Sequence, residues 1–594
     1  MAIVFTILGL VGGLVLFLYG MDLMGDSLKK LAGGKLESIL ARLTSNRFLG
    51  FLLGFLVTAV IQSSSATTVM LVGFVNSGIM TLSQTIAIIM GANIGSTVTA
   101  WLLSTNDIGG GAVQGAADIL QFFKPSSFTP VLALIGFLLI AMAKSDNKKN
   151  TGSILLGFAI LMFGMDMMSD AMGGLKDNTA FTGMLTMFEN PIMGILVGTI
   201  FTVIIQSSSA SIGVLQALAM TPGIHLSYAT AIPVILGQNI GTTVTPIISS
   251  VSGNLESKRV AMSCLYIKMI GVAVVTAGFY GLDAVIGFDF MTKNIGAVGI
   301  AFVHTLFNII STVILIPFCS LFEKLAVKTV RSRKEEKQAD IFAVLDDRFL
   351  AMPGFAVEKS KELVDDMLCL SRESFKKAVL LLDNYDPDIF AEVQEIEGAI
   401  DKYEDKIGTY LIKIAETPLS TNDSKTVSEL LHCIGDIERI SDHALNIAEA
   451  TKEIHDKKIN FSEKALEDIR VITAAVSEIL ELSIISLTEG SIEKAAMIEP
   501  LEQVIDRLKR KIKTGHIDRL RQGDCTVEMG FVLSDLLTNY ERIADHCSNI
   551  AVCMIEINND TFETHEYLSQ VKSGEGTDFV EMYEAYKQKY ALKQ

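Results

Sequence analysis

The chain has 594 residues, half of them hydrophobic, and a formal net charge of −17. The charge is unevenly placed: residues 1–322 hold 14 basic and 13 acidic side chains, whereas 323–594 hold 35 and 53. Such a division reads as membrane material followed by an acidic soluble module, and it excludes nucleic-acid binding, which needs a basic footprint. Seven scattered cysteines, five of them in the acidic part, suit a reducing compartment better than a disulfide framework.

The apolar stretch Ile3–Gly20 lacks a basic leader and a convincing cleavage site, so it reads as a retained span. A crossing needs about 20 apolar residues. Spans are predicted over Ile3–Met24, Leu82–Leu103, Pro130–Ala143, Gly152–Met168, Tyr228–Ser250, Val260–Val285 and Ile295–Phe322. Segments 48–76 and 191–220 are broken mid-way by serine clusters into arms of roughly 14 residues, or about 21 Å of helix, short of the ~30 Å hydrocarbon core. Each is predicted to be a re-entrant hairpin.

Basic residues orient this map. Lys29, Lys30, Lys35, Arg42 and Arg47 follow the first span, and Lys144, Lys148 and Lys149 follow the third. Lys258 and Arg259 lie between later spans, and Lys324, Lys328, Arg331 and Arg333 close the membrane part. The intervening stretches 104–110, 173–190 and 286–294 hold only Lys176 and Lys293 between them. The positive-inside tendency then places the N-terminus outside and the acidic module in the cytoplasm of a multi-pass inner-membrane protein. Three crossings in the first repeat make the second start on the opposite side, so the hairpins enter from opposite faces.

The hairpin breaks are copies. Gln62-Ser63-Ser64-Ser65-Ala66-Thr67-Thr68 recurs 144 positions later as Gln206-Ser207-Ser208-Ser209-Ala210-Ser211. Gly91-Ala92-Asn93-Ile94-Gly95-Ser96-Thr97 is matched by Gly237-Gln238-Asn239-Ile240-Gly241-Thr242-Thr243, and Gly20-Met21-Asp22 by Gly164-Met165-Asp166. Over 104–128 the symmetry is degraded. A polar group in hydrocarbon costs several kcal/mol unless satisfied or facing a wet cavity. Free N–H groups at the start of each second arm favour an anion, while carbonyls ending each first arm, with hydroxyl oxygens, suit Na⁺. The clusters are uncharged, so a multivalent anion bound there requires co-bound cations, and mixed donors and acceptors suit a protonated oxyanion. Serine runs also pack membrane helices; the duplication argues against that reading here.

Five further residues are read with less weight. Asp22 and Asp166 fall near span ends, where interfacial placement is favoured over cation coordination. Lys268 lies inside a span and either snorkels or pairs with an acid. His304 and Asn308 share a helical face and are read as a buried helix–helix hydrogen bond.

Together the paired motifs resemble the type II sodium-phosphate cotransporter family and its bacterial relatives over roughly residues 4–320. That resemblance implies phosphate and sodium sites at Gln62, Ser63, Ser64, Ser65, Thr67, Gln206, Ser207, Ser208 and Ser209. Asn93, Thr97, Asn239, Thr242 and Thr243 would support them.

From about residue 357 the pattern is six long helices in two groups of three. Glu438-Arg439-Ile440-Ser441-Asp442-His443 recurs 103 residues later as Glu541-Arg542-Ile543-Ala544-Asp545-His546, on the third helix of each group. The doubled carboxylates suit a hard or borderline metal, or else intrabundle ion pairs. This part resembles PhoU over about 346–556, which implies metal ligands at Glu438, Asp442, Glu541 and Asp545, and a divalent or iron-type ion. Asp436 has Asn539 as its equivalent in the second copy, so the two patches are expected to differ.

The expected fold is all-α: membrane repeats 1–145 and 146–322 with inverted topology, a linker 323–345, and a cytoplasmic pair of three-helix bundles over 346–594. The function this implies is Na⁺-coupled uptake of inorganic phosphate, with the PhoU-like module regulating flux alone, in a homo-oligomer or through a cytoplasmic partner. The rivals are a phosphate sensor without net transport and a symporter of another oxyanion. No Gly-x-x-x-x-Gly-Lys-[Ser/Thr] loop and no nucleophile–base set is present, so neither ATP nor enzyme chemistry is expected.

Overall fold

The computed structural model describes residues 2–32, 46–105, 125–173, 183, 185, 187–331, 341–523, 525–558 and 577–592. Lys35, Arg42, Lys176, Arg333 and most of the degraded stretch 104–128 lie outside them. Among the described residues the chain is helical throughout, apart from one isolated bridge between Ser227 and Asn294. It divides into two compact units, Met1–Phe355 and Ala356–Gln594.

The first unit opens with α1 (Ala2–Ala32), then the hairpin arms α2 (Arg47–Ile61) and α3 (Ser64–Asn76). A broken helix follows, α4 (Leu82–Gly95) and α5 (Thr97–Ser104), then α6 (Pro125–Met142). The second repeat retraces this order: α7 (Asp146–Gly173), hairpin arms α8 (Pro191–Ile205) and α9 (Ser208–Met220), and the broken pair α10 (Tyr228–Gly241) and α11 (Val244–Ser250). α12 (Leu255–Ile286), α13 (Ala297–Leu315) and α14 (Cys319–Thr329) complete it. The arms of 15 and 13 residues span about 22 and 20 Å, too short to cross. Large apolar side chains face outward, Val285 at 85% and Ile192 at 78% exposure, as hydrocarbon demands.

Glycine contacts establish how the repeats meet. A Cβ on Gly13 would lie 2.8 Å from the Gly164 carbonyl, and one on Gly20 would lie 2.6 Å from the Gly157 carbonyl. Gly157 and Gly164 are the repeat mates of Gly13 and Gly20, 144 residues on. Each glycine therefore touches the mate of the other, and α1 crosses α7 antiparallel about a local two-fold axis. That is an inverted repeat.

Length and composition also pick out Glu463–Glu489 as a possible span. It belongs instead to the second unit, where its apolar face is buried in a bundle. There α15 (Pro353–Asp383), α16 (Pro387–Ala415) and α17 (Thr421–Asp456) form one group; α18 (Glu463–Glu489), α19 (Ile498–Gln522) and α20 (Val527–Asn558) form the other. Gly490 ends α18 and Gly523 ends α19 in the left-handed conformation, which no Cβ opposes. The final helix α21 (Thr577–Lys589) covers Phe579–Glu584, which sequence reads as a further amphipathic helix of undetermined docking, and it docks on α18 and α19 through Lys589 Nζ to Glu478 at 2.6 Å and Arg507 to the Tyr583 hydroxyl at 3.2 Å.

Residues 346–355 belong to the first unit. Asn76 Nδ2 donates to Asp346 at 2.8 Å, Phe349 is wholly buried, and Phe74 packs its ring against Phe349 and Phe355.

Candidate functional site

Each hairpin turns over two residues. Gln62 and Gln206 cap the first arms in the left-handed conformation, at φ 61° and 60°. A residue with a Cβ pays about 1–2 kcal/mol for this. Both amides offset it in the same way: Gln62 Nε2 donates to the Ala59 carbonyl at 3.0 Å, and Gln206 Nε2 to that of Val203 at 2.7 Å. From the broken helices, Thr99 Oγ1 donates to Gln62 Oε1 and Thr245 Oγ1 to Gln206 Oε1, both at 2.9 Å. The glutamines thus clamp each turn to its broken helix, which leaves each side chain one N–H for a ligand.

Ser63 and Ser207 follow in extended conformation and accept from the Ala66 and Ala210 N–H groups at 3.2 Å. The next N–H groups, on Ser64, Ser65, Ser208 and Ser209, start the second arms and have no helical acceptor. Below the turns the arms are stapled at matching heights, Thr58 to Thr67 at 2.9 Å and Thr202 to Ser211 at 3.0 Å.

The two turns meet. A cavity of about 390 Å³ is lined by Gln62, Ser63, Ser64 and Ser65 from one side and Gln206, Ser207, Ser208 and Ser209 from the other. Its third wall is one face of α1, running from Leu18 and Met21 through Asp22, Gly25 and Asp26 to Lys29. Asp26 pairs with Lys29 at 3.0 Å, while no hydrogen bond or ion pair engages Asp22 among the described residues. Asp22 lines this cavity, and its mate Asp166 does not.

Several expected residues stand behind this wall. Thr67 is fully buried in its staple. Thr97 Oγ1 donates to the Ile94 carbonyl at 2.7 Å and Thr243 Oγ1 to that of Ile240 at 2.8 Å, while Asn239 Nδ2 donates to Ile235 at 3.0 Å. Asn93, Thr97, Asn239, Thr242 and Thr243 are parts of the helix breaks and do not reach the cavity. The glycines before these breaks serve close packing: a Cβ on Gly91 would sit 2.0 Å from the Phe51 carbonyl, and one on Gly237 2.0 Å from that of Ile195.

Lys268 neither snorkels nor meets a carboxylate; it is buried, and its Nζ donates to Thr242 Oγ1 at 2.6 Å. Asn308 Nδ2 donates to the His304 carbonyl of its own helix at 2.8 Å, so the expected interhelical bond is not made, and His304 Nδ1 has no partner among the described residues. Sequence reasoning missed Gln216, which donates to the Ala100 and Ala297 carbonyls at 2.9 and 3.0 Å, and Gln238, which donates to the Ser211 carbonyl at 3.1 Å. A glutamine inside an apolar run was their one available signal.

In the second unit the doubled signature brings α17 and α20 face to face. His443 Nδ1 meets Asn539 Oδ1 at 2.9 Å and His546 Nδ1 meets Asp436 Oδ1 at 2.7 Å, with the two rings stacked 5.6 Å apart. Asp442 gathers with Glu397 and Asp401 of α16, their nearest oxygens within 4.8 Å of one another, a set that would fit a cation. Burial, then the Asp442 charge, raises the Glu438 carboxyl above its ordinary range; burial, then Asp401, does the same to Asp442. The second copy differs. Lys509 Nζ binds Glu541 at 2.5 Å and Arg542 lies 3.5 Å from Asp545, so that patch is neutralised from within.

The Na⁺/Pi-cotransporter family profile matches residues 16–170 and 160–307, and the PhoU domain profile matches 364–451 and 469–554. YjbB of Salmonella typhimurium, whose name refers to inorganic phosphate export, is 22% identical over 95% of this chain and 100% of its own. YqeW of Bacillus subtilis is 31% identical over 52% of this chain and 94% of its own. A phosphate-specific transport system accessory protein, PhoU homolog 1 of Thermotoga maritima, is 26% identical over 37% of this chain and 94% of its own. The chain belongs to the Na⁺/Pi-cotransporter family of membrane phosphate transporters, not to an enzyme family, and carries a PhoU domain behind its membrane half.

Proposed function

We propose that this protein is a secondary phosphate transporter in which Na⁺ and inorganic phosphate move together through the cavity between the hairpins. The observation that carries this reading is the convergence of two uncharged, N–H-rich turns, from halves of opposite orientation, on one cavity. Phosphate would be held by the free N–H groups and hydroxyls of Ser64, Ser65, Ser208 and Ser209, with Ser63, Ser207 and the remaining N–H of Gln62 and Gln206 beside them. Thr67, Asn93, Thr97, Asn239, Thr242 and Thr243 keep the turns and breaks in shape.

The cavity's charged wall bears two carboxylates and one ammonium. An anion entering a space already net negative needs accompanying cations, which gives coupling to Na⁺ an electrostatic reason. The α1 stripe leads from the turns toward Lys29, at the helix end that the positive-inside tendency assigns to the cytoplasm. In this arrangement the cavity opens inward, and alternating access would carry it to the other side.

The PhoU domain is proposed to regulate this flux from the cytoplasm, with any divalent ion held by Glu397, Asp401 and Asp442, the set whose geometry fits one. Uptake of labelled phosphate into proteoliposomes under an imposed Na⁺ gradient tests the whole reading. Accumulation that collapses without Na⁺ supports symport; binding without accumulation supports a sensor; preference for sulfate or arsenate supports another oxyanion. Because the full-length relative YjbB is named for export, both gradient directions belong in the assay; Na⁺-independent efflux would refute the coupling.

A further inference from the structure

The two helix breaks are built alike but completed differently. In the first repeat Ser96 Oγ donates to the Asn93 carbonyl at 2.8 Å, and no side chain donates to Ser96 among the described residues. In the second, Thr242 Oγ1 donates to the Asn239 carbonyl at 2.7 Å and in turn accepts from Lys268 Nζ at 2.6 Å. Lys268 is 8% exposed and makes no ion pair among the described residues. A buried ammonium without a carboxylate is costly in a membrane helix and marks function by default.

Thr242 Oγ1 is the one hydrogen-bond partner of this amine among the described residues, and Cys264 and His304 lie within electrostatic reach of it. α10 ends at Gly241, so its C-terminal carbonyls carry the partial negative charge of a helix end. The Thr242 proton is committed to Asn239, which turns the hydroxyl lone pairs toward Nζ. Carbonyls at interrupted helices with a neighbouring hydroxyl are what hold Na⁺ in transporters built from inverted repeats. The place is also central: the Cβ of a residue at 241 would contact Thr202, one turn below the Gln206 turn. We infer that the Lys268 ammonium stands in the second repeat where a Na⁺ binds at the Ser96 break of the first. The chain thereby carries one of its coupling cations on a tether. This rests on the Na⁺-coupled reading. It implies that fewer Na⁺ move per phosphate than two equivalent repeats would take, because the tethered charge stays with the protein.

The test compares the full-length wild type with Lys268→Gln and Lys268→Arg in proteoliposomes, reading the Na⁺ dependence of ³²P-phosphate uptake and the charge moved per phosphate. Gln keeps a donor for Thr242 and loses only the charge; Arg keeps the charge. The expected result is that the Gln variant shows a steeper Na⁺ dependence and moves one more positive charge per phosphate, as Na⁺ replaces the ammonium, while Arg leaves both values unchanged. A Gln variant with wild-type values for both overturns the inference and leaves Lys268 a packing residue. So does a Gln variant that melts like the wild type yet binds no phosphate at any Na⁺ concentration. Na⁺-independent uptake by the wild type is a separate outcome, which removes the symport reading and this inference with it.

Discussion

Gly91→Ala is the sharpest test of how the site is held. The new Cβ would lie 2.0 Å from the Phe51 carbonyl oxygen and 2.9 Å from the Phe55 nitrogen. Carbon–oxygen contacts settle at roughly 3.3–3.6 Å, so α4 must part from α2 by more than 1 Å. Thr99 follows on α5 and reaches Gln62 at 2.9 Å; a shift of that size takes the pair beyond hydrogen-bonding range. Overpacking costs about 1–3 kcal/mol and the lost buried bond about 0.5–1.5, giving about 1.5–4.5 kcal/mol together. Thermal unfolding of the detergent-solubilised protein should show a fall of several degrees, and phosphate uptake should drop because the Gln62 turn has lost its clamp. Gly435→Ala is the control, with nothing within 4 Å of its Cβ; in mid-helix it should be neutral or stabilise by about 0.5–1 kcal/mol. If Gly91→Ala melts and transports like the wild type, the close approach of these helices is not what positions the turn.

Ser64→Ala and Ser208→Ala should each cut phosphate uptake at least tenfold while leaving insertion and melting near wild type, since neither hydroxyl caps its helix; unchanged uptake in both would favour small-residue packing. In the second unit, burial raises the Asp365 carboxyl to about 6, with Asp366 and Glu362 adding to it against Lys361, and its Oδ1 has no hydrogen-bond partner among the described residues. A raised carboxyl contributes stability below its unfolded pKa and loses it as pH rises through about 6. Asp365→Asn should therefore stabilise the protein at pH 8 by roughly 1 kcal/mol after allowing for solvent screening, and not at pH 4; melting curves at both values decide it. Truncation after Phe355 should preserve transport, whereas truncation after Leu345 removes Phe349 from beneath Phe74 and should lower the melting temperature. Equal stability of the two truncations would contradict that packing.

The repeats, the hairpins and the six-helix layout of the acidic part were legible because each is a local signal. A polar cluster in an apolar run, an arm too short to cross, and a motif repeated at a fixed offset all follow from chain chemistry over about twenty residues. Basic residues added an orientation in the same local way. The antiparallel crossing of α1 and α7 then supplied independent geometry for the inversion, through glycines whose pairing no single stretch reveals.

Partner choice across the fold was decided only by tertiary packing. Asp22 and Asp166 are equivalent in sequence, yet one lines the cavity and the other does not, since the two hairpins meet against α1. Glu541 has the same local context as Glu438 and is nonetheless taken by Lys509, from a helix that begins some forty residues earlier. Lys268 found a hydroxyl instead of an acid or the interface. Local sequence determines which residues must be satisfied, because an unsatisfied polar group costs the same wherever it lies in hydrocarbon; which group satisfies it depends on long-range contacts that form only when the repeats close on one another.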